Sequence, residues 1–167
     1  PGAIDTASYQ SSTSGLVIDL YYTVGSANYL STGDANGDTY FDVERVLGSQ
    51  FDDTIYGTNG PGILSDLNWL DGGAGDDSIY GYAGEETLVG GLGDDVIFGG
   101  SQAFAGPAEI DTALYAAGLS DVIFAPRDAS TFFVITPDEG VDILGEIEQI
   151  SLAGTVYGLG ALFYDPR

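Results

Sequence analysis

The chain has 167 residues, 44% of them hydrophobic, which is enough for one domain with its own core. Twenty-six Asp and Glu stand against three Arg and no Lys, giving a formal net charge of −23. This charge repels nucleic acid and anionic membrane surfaces, so neither is expected as a partner. The absence of Cys and His excludes disulfides and the usual zinc or copper sites but leaves oxygen-ligated cations open.

Composition also separates this chain from disordered and membrane proteins. Eleven Tyr, eight Phe and a mean hydropathy of +0.11 indicate a folded core despite the charge. No segment reaches the roughly 18 apolar residues of a spanning helix, and no signal-peptide pattern opens the sequence, so membrane insertion is not expected. The absence of Met, with Pro1 at the start, predicts a fragment or a processed product.

Short strand-like runs punctuated by glycine recur along the chain, and helical periodicity is scarce. In chain order they are GLVIDL at 15–20, TIY at 54–56, SIY at 78–80, VIF at 96–98, TFFVIT at 131–136 and VDIL at 141–144. The sequence therefore predicts an all-β chain with little or no helix.

A nine-residue repeat occupies the middle of the chain. Three copies align without gaps, at 72–80, 81–89 and 90–98. Each begins with glycine, has acids at positions five and six, and has an aliphatic residue at position eight. Two degenerate copies precede them at 48–56 and 63–71, with GTNGPG at 57–62 as an inserted turn.

Residues seven to nine of each copy form a strand too short to persist unless it stacks on others at ~4.8 Å. We predict that two copies make one turn of a right-handed flattened solenoid, a parallel β-roll. Asp77 and Asp95, 18 residues apart, would then superpose and repel each other by several kcal/mol in a low dielectric. A divalent cation between the two carboxylates would turn this repulsion into net attraction, and oxygen ligands favour calcium.

A longer repeat spans the whole chain. IDTASY at 4–9 recurs as IDTALY at 110–115, and DTYFDVERV at 38–46 recurs as DILGEIEQI at 142–150. The two pairs predict related, irregular β segments on either side of the roll. We accordingly divide the chain into an N-terminal β segment at 1–47, the roll at 48–112 and a capping C-terminal β segment at 113–167.

The copies GGAGDDSIY and GGLGDDVIF resemble the GGxGxDxUx nonapeptide of the RTX (repeats-in-toxin) family. The likeness is most specific at 48–100. It implies a calcium-dependent structural module of a bacterial protein that is exported by type I secretion, folds in calcium outside the cell, and is secreted or held at the cell surface.

The resemblance also implies ligands from carbonyl groups and position-six carboxylates of stacked turns. One site would use Gly73, Gly75, Asp77, Gly90, Leu92 and Asp95. A second would use Ser49, Phe51, Asp53, Gly72, Ala74 and Asp77. Gly91 and Gly93 join the candidate metal residues, as do Glu86 and Asp111 on the other edge, where Asn68 and Glu86 replace Asp and sites are expected to be weaker or absent.

Two other motifs fit calcium or phosphate chemistry less well. DANGD at 34–38 resembles the start of an EF-hand loop, but its sixth residue is Thr39 and its twelfth is Arg45. The glycines at 90–93 are not followed by Lys, and the acids after them would repel phosphate.

Catalysis has few candidate groups, because the chain lacks His, Cys and Lys. Glu146 and Glu148 could form a glycosidase pair, yet alternate residues on a strand share a face by ordinary geometry. We predict that the chain is not an enzyme.

Two alternative functions rest on a predicted aromatic stripe of Tyr56, Tyr80 and Phe98 on the roll. One is a polysaccharide-binding accessory module of a secreted enzyme. The other is a subunit of a surface layer or filament, in which like subunits cover the stripe. Coverage by residues 113–165 is the simplest explanation of the stripe.

Overall fold

The computed structural model describes residues 4–20, 31–40, 43–58, 68–100, 110–128 and 130–159. These hold fourteen β-strands and two short 3-10 turns, at Gly33–Ala35 and Leu119–Asp121, which confirms the all-β prediction. The strands are β1 (Thr6–Ser8), β2 (Val17–Asp19), β3 (Arg45–Leu47), β4 (Thr54–Tyr56), β5 (Trp69–Ala74), β6 (Ser78–Tyr80), β7 (Thr87–Leu92), β8 (Val96–Phe98), β9 (Thr112–Tyr115), β10 (Ile123–Pro126), β11 (Thr131–Thr136), β12 (Gly140–Gly145), β13 (Gln149–Leu152) and β14 (Thr155–Gly158). Within these ranges no helix is long and apolar enough to cross a membrane.

The strands form two seven-stranded sheets whose central members alternate along the chain. One sheet has the order β1-β3-β5-β7-β9-β13-β14, and the other β10-β11-β12-β8-β6-β4-β2. From β1 to β9 every pairing between these strands is parallel. The chain thus crosses from one sheet to the other with each copy of the repeat, as a parallel β-roll requires.

The register follows the repeat length. Ser78 pairs with Val96, 18 residues on, which confirms that copies two apart superpose. Thr54 pairs with Ser78 at a separation of 24, six more than 18 and the length of GTNGPG. Thr87 pairs with Thr112 at a separation of 25, seven more than 18 and the length of SQAFAGP. The insertions at 57–62 and 101–107 themselves lie largely outside the described residues.

The core is a column of aliphatic side chains between the two sheets. Position eight of every copy is fully buried, at Ile55, Leu70, Ile79, Leu88 and Ile97. Val46, Ala113, Leu144 and Ile150 extend the column toward the ends of the sheets, and each is also fully buried. Equivalent positions of successive copies stack directly, so the apolar residue at position eight of each copy adds to one continuous core. The turns between the strands contain glycine and polar residues instead.

The two sheets extend past both predicted boundaries of the roll. At the N-terminal end, β1 and β2 pair in parallel with β3 and β4. At the other end, β12 and β13 pair in parallel with β8 and β9. The division into 1–47, 48–112 and 113–167 stays a prediction, but strands from all three segments share the two sheets.

The long repeat corresponds to one local structure formed twice. The Asp5 backbone amide donates to the Glu44 carboxylate at 2.8 Å, and the Asp5 carbonyl accepts from the Glu44 amide at 3.2 Å. Asp111 and Glu148 repeat both bonds, at 2.9 and 3.2 Å. The two halves of the long repeat therefore place equivalent residues in equivalent structural positions.

Candidate metal centre

Superposed glycine turns form one edge of the roll, between the two sheets. At positions two and four the backbone has positive φ, with values of 107° at Gly73, 120° at Gly75, 113° at Gly91 and 134° at Gly93. A Cβ atom on Gly91 would lie 2.1 Å from the Gly73 carbonyl oxygen, and one on Gly93 would lie 2.2 Å from that of Gly75. Only glycine allows both this conformation and this approach, so the turns stack in close contact.

Position-six carboxylates bond each turn to the one before it. Asp77 Oδ1 accepts from the Asp53 amide at 2.7 Å, and Asp95 Oδ1 accepts from the Asp77 amide at 2.8 Å. Asp53 Oδ1 accepts from the Leu16 amide at 2.8 Å, and Asp142 Oδ1 from the Asp95 amide at 3.0 Å. We call the carboxylates of Asp53, Asp77, Asp95 and Asp142 the inner ladder.

Position-five carboxylates form a second, exposed ladder, in which each carboxylate accepts from the turn that follows it. Asp52 Oδ1 accepts from the Asp76 amide at 3.0 Å, and Asp76 Oδ1 accepts from the Asp94 amide at 2.9 Å. We call the carboxylates of Asp52, Asp76 and Asp94 the outer ladder. In each pair of consecutive acids, the position-five carboxylate thus accepts from the following turn, and the position-six carboxylate accepts from the preceding one.

The inner ladder leaves buried oxygens without hydrogen-bond partners. Asp77 and Asp95 are each 1% exposed, and the Oδ2 atom of each has no partner. A Cβ on Gly72 would lie 2.2 Å from Asp77 Oδ2, so the carboxylate fills the space over the glycine of its own turn. Most buried side-chain polar atoms have at least one hydrogen-bond partner, so these two oxygens are exceptions that need an explanation. Asp53 differs, because its Oδ2 accepts from the Ser49 amide at 2.6 Å.

Electrostatics at the inner ladder oppose ionisation. The pKa of Asp77 is raised to about 8, mainly by burial; the Asp53 amide lowers it, and the charges of Asp95 and Asp53 act with burial. Burial also raises the pKa of Asp95 to about 7, with the charge of Asp142 acting in the same direction. Burial and like charges therefore favour the protonated form of both carboxylates, and a positive charge nearby would favour the ionised form.

The predicted ligand sets lie together in the fold. Ala74 pairs with Leu92, and the Leu92 carbonyl accepts from the Gly75 amide at 2.8 Å. The Ser49 carbonyl accepts from the Ala74 amide at 3.3 Å in the turn below. No three acidic side chains of the described residues form a metal-binding cluster, so a cation here needs backbone carbonyls as well. Buried, all-oxygen donors with unpartnered carboxylate atoms fit calcium.

The opposite edge of the roll also has buried acids. The Glu86 amide donates to Asp111 Oδ1 at 3.0 Å, and the Asn68 side-chain amide donates to Glu86 Oε1 at 3.4 Å. Glu86 and Asp111 are each 1% exposed. The bond from the Glu86 amide to Asp111 has the same form as those of the inner ladder, whereas Asn68 donates from its side chain. The role of Glu86 and Asp111 as metal ligands stays a prediction.

Sequence reasoning missed Asp142, the last member of the inner ladder. Its turn contains Glu139, Gly140, Val141 and Asp142, which match positions three to six of the repeat only in the glycine and the final acid. The glycines of positions one and two are absent. The signal available was therefore a single Gly-x-Asp, at 140–142, which overlaps the strand VDIL.

These features define a parallel β-roll whose turns are built from glycine and paired acids. The sequence matches the family described as the RTX calcium-binding nonapeptide repeat (4 copies), at residues 38–60, 65–97 and 81–103. The chain therefore carries RTX calcium-binding nonapeptide repeats, a structural module whose family implies Ca²⁺ binding.

Comparison with other proteins adds two findings. The fold is similar to that of the extracellular lipase LipA from Serratia marcescens, with 20% sequence identity and a TM-score of 0.31. The similarity covers 70% of this chain and 15% of that one, so the chain corresponds to a small part of the lipase's length. A comparison with curated protein sequences finds no significant match.

We predict that Gly93→Ala lowers the free energy of unfolding by more than about 3 kcal/mol, because positive-φ strain adds to the overlap with the Gly75 carbonyl. Gly154→Ala is the matched control: Gly154 has a φ of 80° but nothing within 4 Å of an added Cβ. The control should lose only about 1–2 kcal/mol. Denaturant unfolding at a fixed, saturating calcium concentration measures both, and equal losses would show that this contact does not set the spacing of the turns.

Proposed function

We propose that this chain is a calcium-dependent folding module of a secreted or cell-surface bacterial RTX protein, in which Ca²⁺ bridges stacked turns. The observation that carries the proposal is the pair of buried Oδ2 atoms of Asp77 and Asp95, which have no hydrogen-bond partner. Their carboxylates belong to turns that superpose. A cation between the turns would supply these atoms with a ligand and cancel the repulsion between the two charges.

Two sites on this edge follow from the proposal. The stronger combines carbonyl groups and carboxylates of Gly73, Gly75, Asp77, Gly90, Leu92 and Asp95. The second combines those of Ser49, Phe51, Asp53, Gly72, Ala74 and Asp77. The second is weaker, because both Asp53 oxygens already accept amide hydrogen bonds, from Leu16 and Ser49.

Export is the context in which such a module makes physical sense. With a net charge of −23 and buried acids, compaction of the metal-free chain brings like charges together at a cost in free energy. Calcium binding then becomes folding free energy. A chain that stays expanded where calcium is scarce and folds where it is abundant suits type I secretion to the exterior.

We predict that chelation expands the chain. With millimolar calcium the radius of gyration should approach the roughly 15 Å of a compact chain of this length, whereas with EDTA it should rise toward about 40 Å. Small-angle X-ray scattering measures both states. Magnesium at the same concentration is the control and should not restore compaction, because it gives up its water ligands reluctantly. A chain that stays compact in EDTA would contradict the proposal.

Asp77→Asn should weaken calcium binding at least tenfold, or about 1.4 kcal/mol, because Asp77 contributes to both proposed sites. The asparagine side chain keeps an Oδ1 atom that can accept from the Asp53 amide, so the stacking bond survives. Asp76→Asn removes the same charge from the exposed neighbouring residue and should change the affinity less than about twofold. Isothermal titration calorimetry compares the calcium affinities of the two variants. Equal effects would mean that Asp77 contributes only long-range electrostatic attraction and does not bind the cation directly.

A second candidate function rests on an aromatic stack on one face of the roll. Ring centroids are 5.3 Å apart for Tyr56 and Tyr80, 5.9 Å for Tyr80 and Phe98, and 6.1 Å for Tyr56 and Tyr82. Tyr82 is 37% exposed and has a φ of 75° at position two, where neighbouring copies have glycine. Gly145 lies against Phe98, so the C-terminal segment covers that end of the stack. Tyr56, Tyr80 and Phe98 are half-buried, and the exposed, positive-φ Tyr82 ends the row. A row of stacked aromatic rings with one exposed member favours binding of the flat face of a sugar.

If this surface binds polysaccharide, the calcium-loaded chain should bind at least one member of a panel of acidic and neutral glycans. Tyr82→Ala should then weaken that binding at least fivefold, while Leu119→Ala, at another exposed apolar residue, should leave it unchanged. Glycan arrays followed by calorimetry make the measurement. No response to any glycan removes this candidate, and self-association without glycan binding would favour the surface-layer hypothesis instead.

A further inference from the structure

A turn outside the nonapeptide repeats stacks on the last of them. Strand β12 pairs in parallel with β8, with Ile143 opposite Val96 and Leu144 opposite Ile97. This continues the register of β6 on β8, although 47 residues separate the partners instead of 18. Residues 137–142 therefore occupy positions one to six of a further turn.

The backbone of this added turn repeats the geometry of the glycine turns. Gly140 has a φ of 98°, and a Cβ on it would lie 2.0 Å from the Gly93 carbonyl oxygen, as one on Gly93 would lie 2.2 Å from that of Gly75. The Glu139 carbonyl accepts from the Gly93 amide at 3.3 Å, as the Leu92 carbonyl accepts from the Gly75 amide at 2.8 Å.

Asp142 occupies the position-six site of the added turn and is fully buried. Its Oδ1 accepts from the Asp95 amide at 3.0 Å, while its Oδ2 has no hydrogen-bond partner. The Oδ2 atom of Asp95 is also buried and also has no hydrogen-bond partner. The Tyr115 hydroxyl, also buried, interacts with Asp142 but likewise has no partner that meets hydrogen-bond geometry. Two buried carboxylates with unpartnered oxygens thus belong to neighbouring turns, as for Asp77 and Asp95.

From this arrangement, and resting on the proposed function, we infer a third calcium site between the turn at 90–95 and the turn at 137–142. Its ligands are the carboxylates of Asp95 and Asp142, with carbonyl oxygens of the two turns, among them that of Glu139. The Glu139 side chain is not a ligand, because its carboxylate accepts from the Ala116 and Ala117 amides at 3.1 and 3.4 Å.

The other end of the inner ladder provides the contrast. There the backbone amide that donates to Asp53 Oδ1 belongs to Leu16, which has no carboxylate. A fourth site beyond Asp53 therefore lacks one of its two acids. The inner ladder accordingly holds three sites on this edge, one between each pair of successive acids.

The test counts calcium ions bound to the full chain by native mass spectrometry and calorimetry. Asp142→Asn should bind one ion fewer than the wild type and keep the others, because the asparagine side chain retains an acceptor for the Asp95 amide. Asp138→Asn is the control: it removes an exposed charge from the same turn and should bind the full number. Tyr115→Phe should also bind the full number, since the hydroxyl is not a ligand.

Equal stoichiometry for the wild type and Asp142→Asn overturns the inference, and so does loss of the ion in Tyr115→Phe with retention in Asp142→Asn. A wild type that binds no calcium refutes the proposed function itself, so the two failures are distinguishable. Should Asp142→Asn not fold, wild-type crystals grown in calcium decide the matter. Anomalous density between Asp95 and Asp142 is expected, and its absence while density is present between Asp77 and Asp95 would overturn the inference.

Discussion

The hydrogen bond between a buried position-six carboxylate and the backbone amide of the neighbouring turn is the constraint on which this fold depends. It forms only when turns superpose, and they superpose only when the strands between them are parallel and in register. The 2.7 and 2.8 Å bonds made by Asp77 and Asp95 therefore fix the spacing of the turns as the aliphatic column fixes the spacing of the strands. In the turns at 72–77 and 90–95, glycine at positions two and four allows the backbone conformation and close approach that this spacing needs.

The paired acids of the repeat have two different physical roles. The outer ladder lies in water, where each carboxylate retains hydration and its bond to an amide costs little. The inner ladder is desolvated, so the same bond leaves one oxygen of Asp77 and one of Asp95 buried without a partner. A buried charge without compensation is among the most costly groups in a protein. Under the proposed function, the stability of the roll depends on the cation that would satisfy those oxygens, whereas the outer acids contribute mainly charge.

Much of this could be predicted, because the repeat encodes period, burial and turn chemistry in the same nine residues. The aliphatic residue at position eight indicated the core, and the 18-residue offset predicted the register once the inserted residues were discounted. Asp142 could not be found in this way. Its turn lacks the first two glycines, and its strand reaches the roll through the antiparallel hairpin of β11 and β12 rather than through the preceding copy. Strand composition predicted TFFVIT and VDIL as strands, but their partners depend on tertiary packing.

The two ladders end differently at the C-terminal turn, and the difference explains how a solenoid of acids can stop. The Val141 amide donates to Asp94 Oδ1 at 2.9 Å, yet Val141 has no carboxylate to continue the outer ladder. The inner ladder continues for one more step, to Asp142. Beyond it the hairpin of β11 and β12 and the antiparallel strand β10 replace parallel stacking, with Val134 fully buried beneath them. The cap thus ends the outer ladder, because Val141 stands where the earlier turns have an acid, while Asp142 keeps the buried acid that the proposed cation site would use.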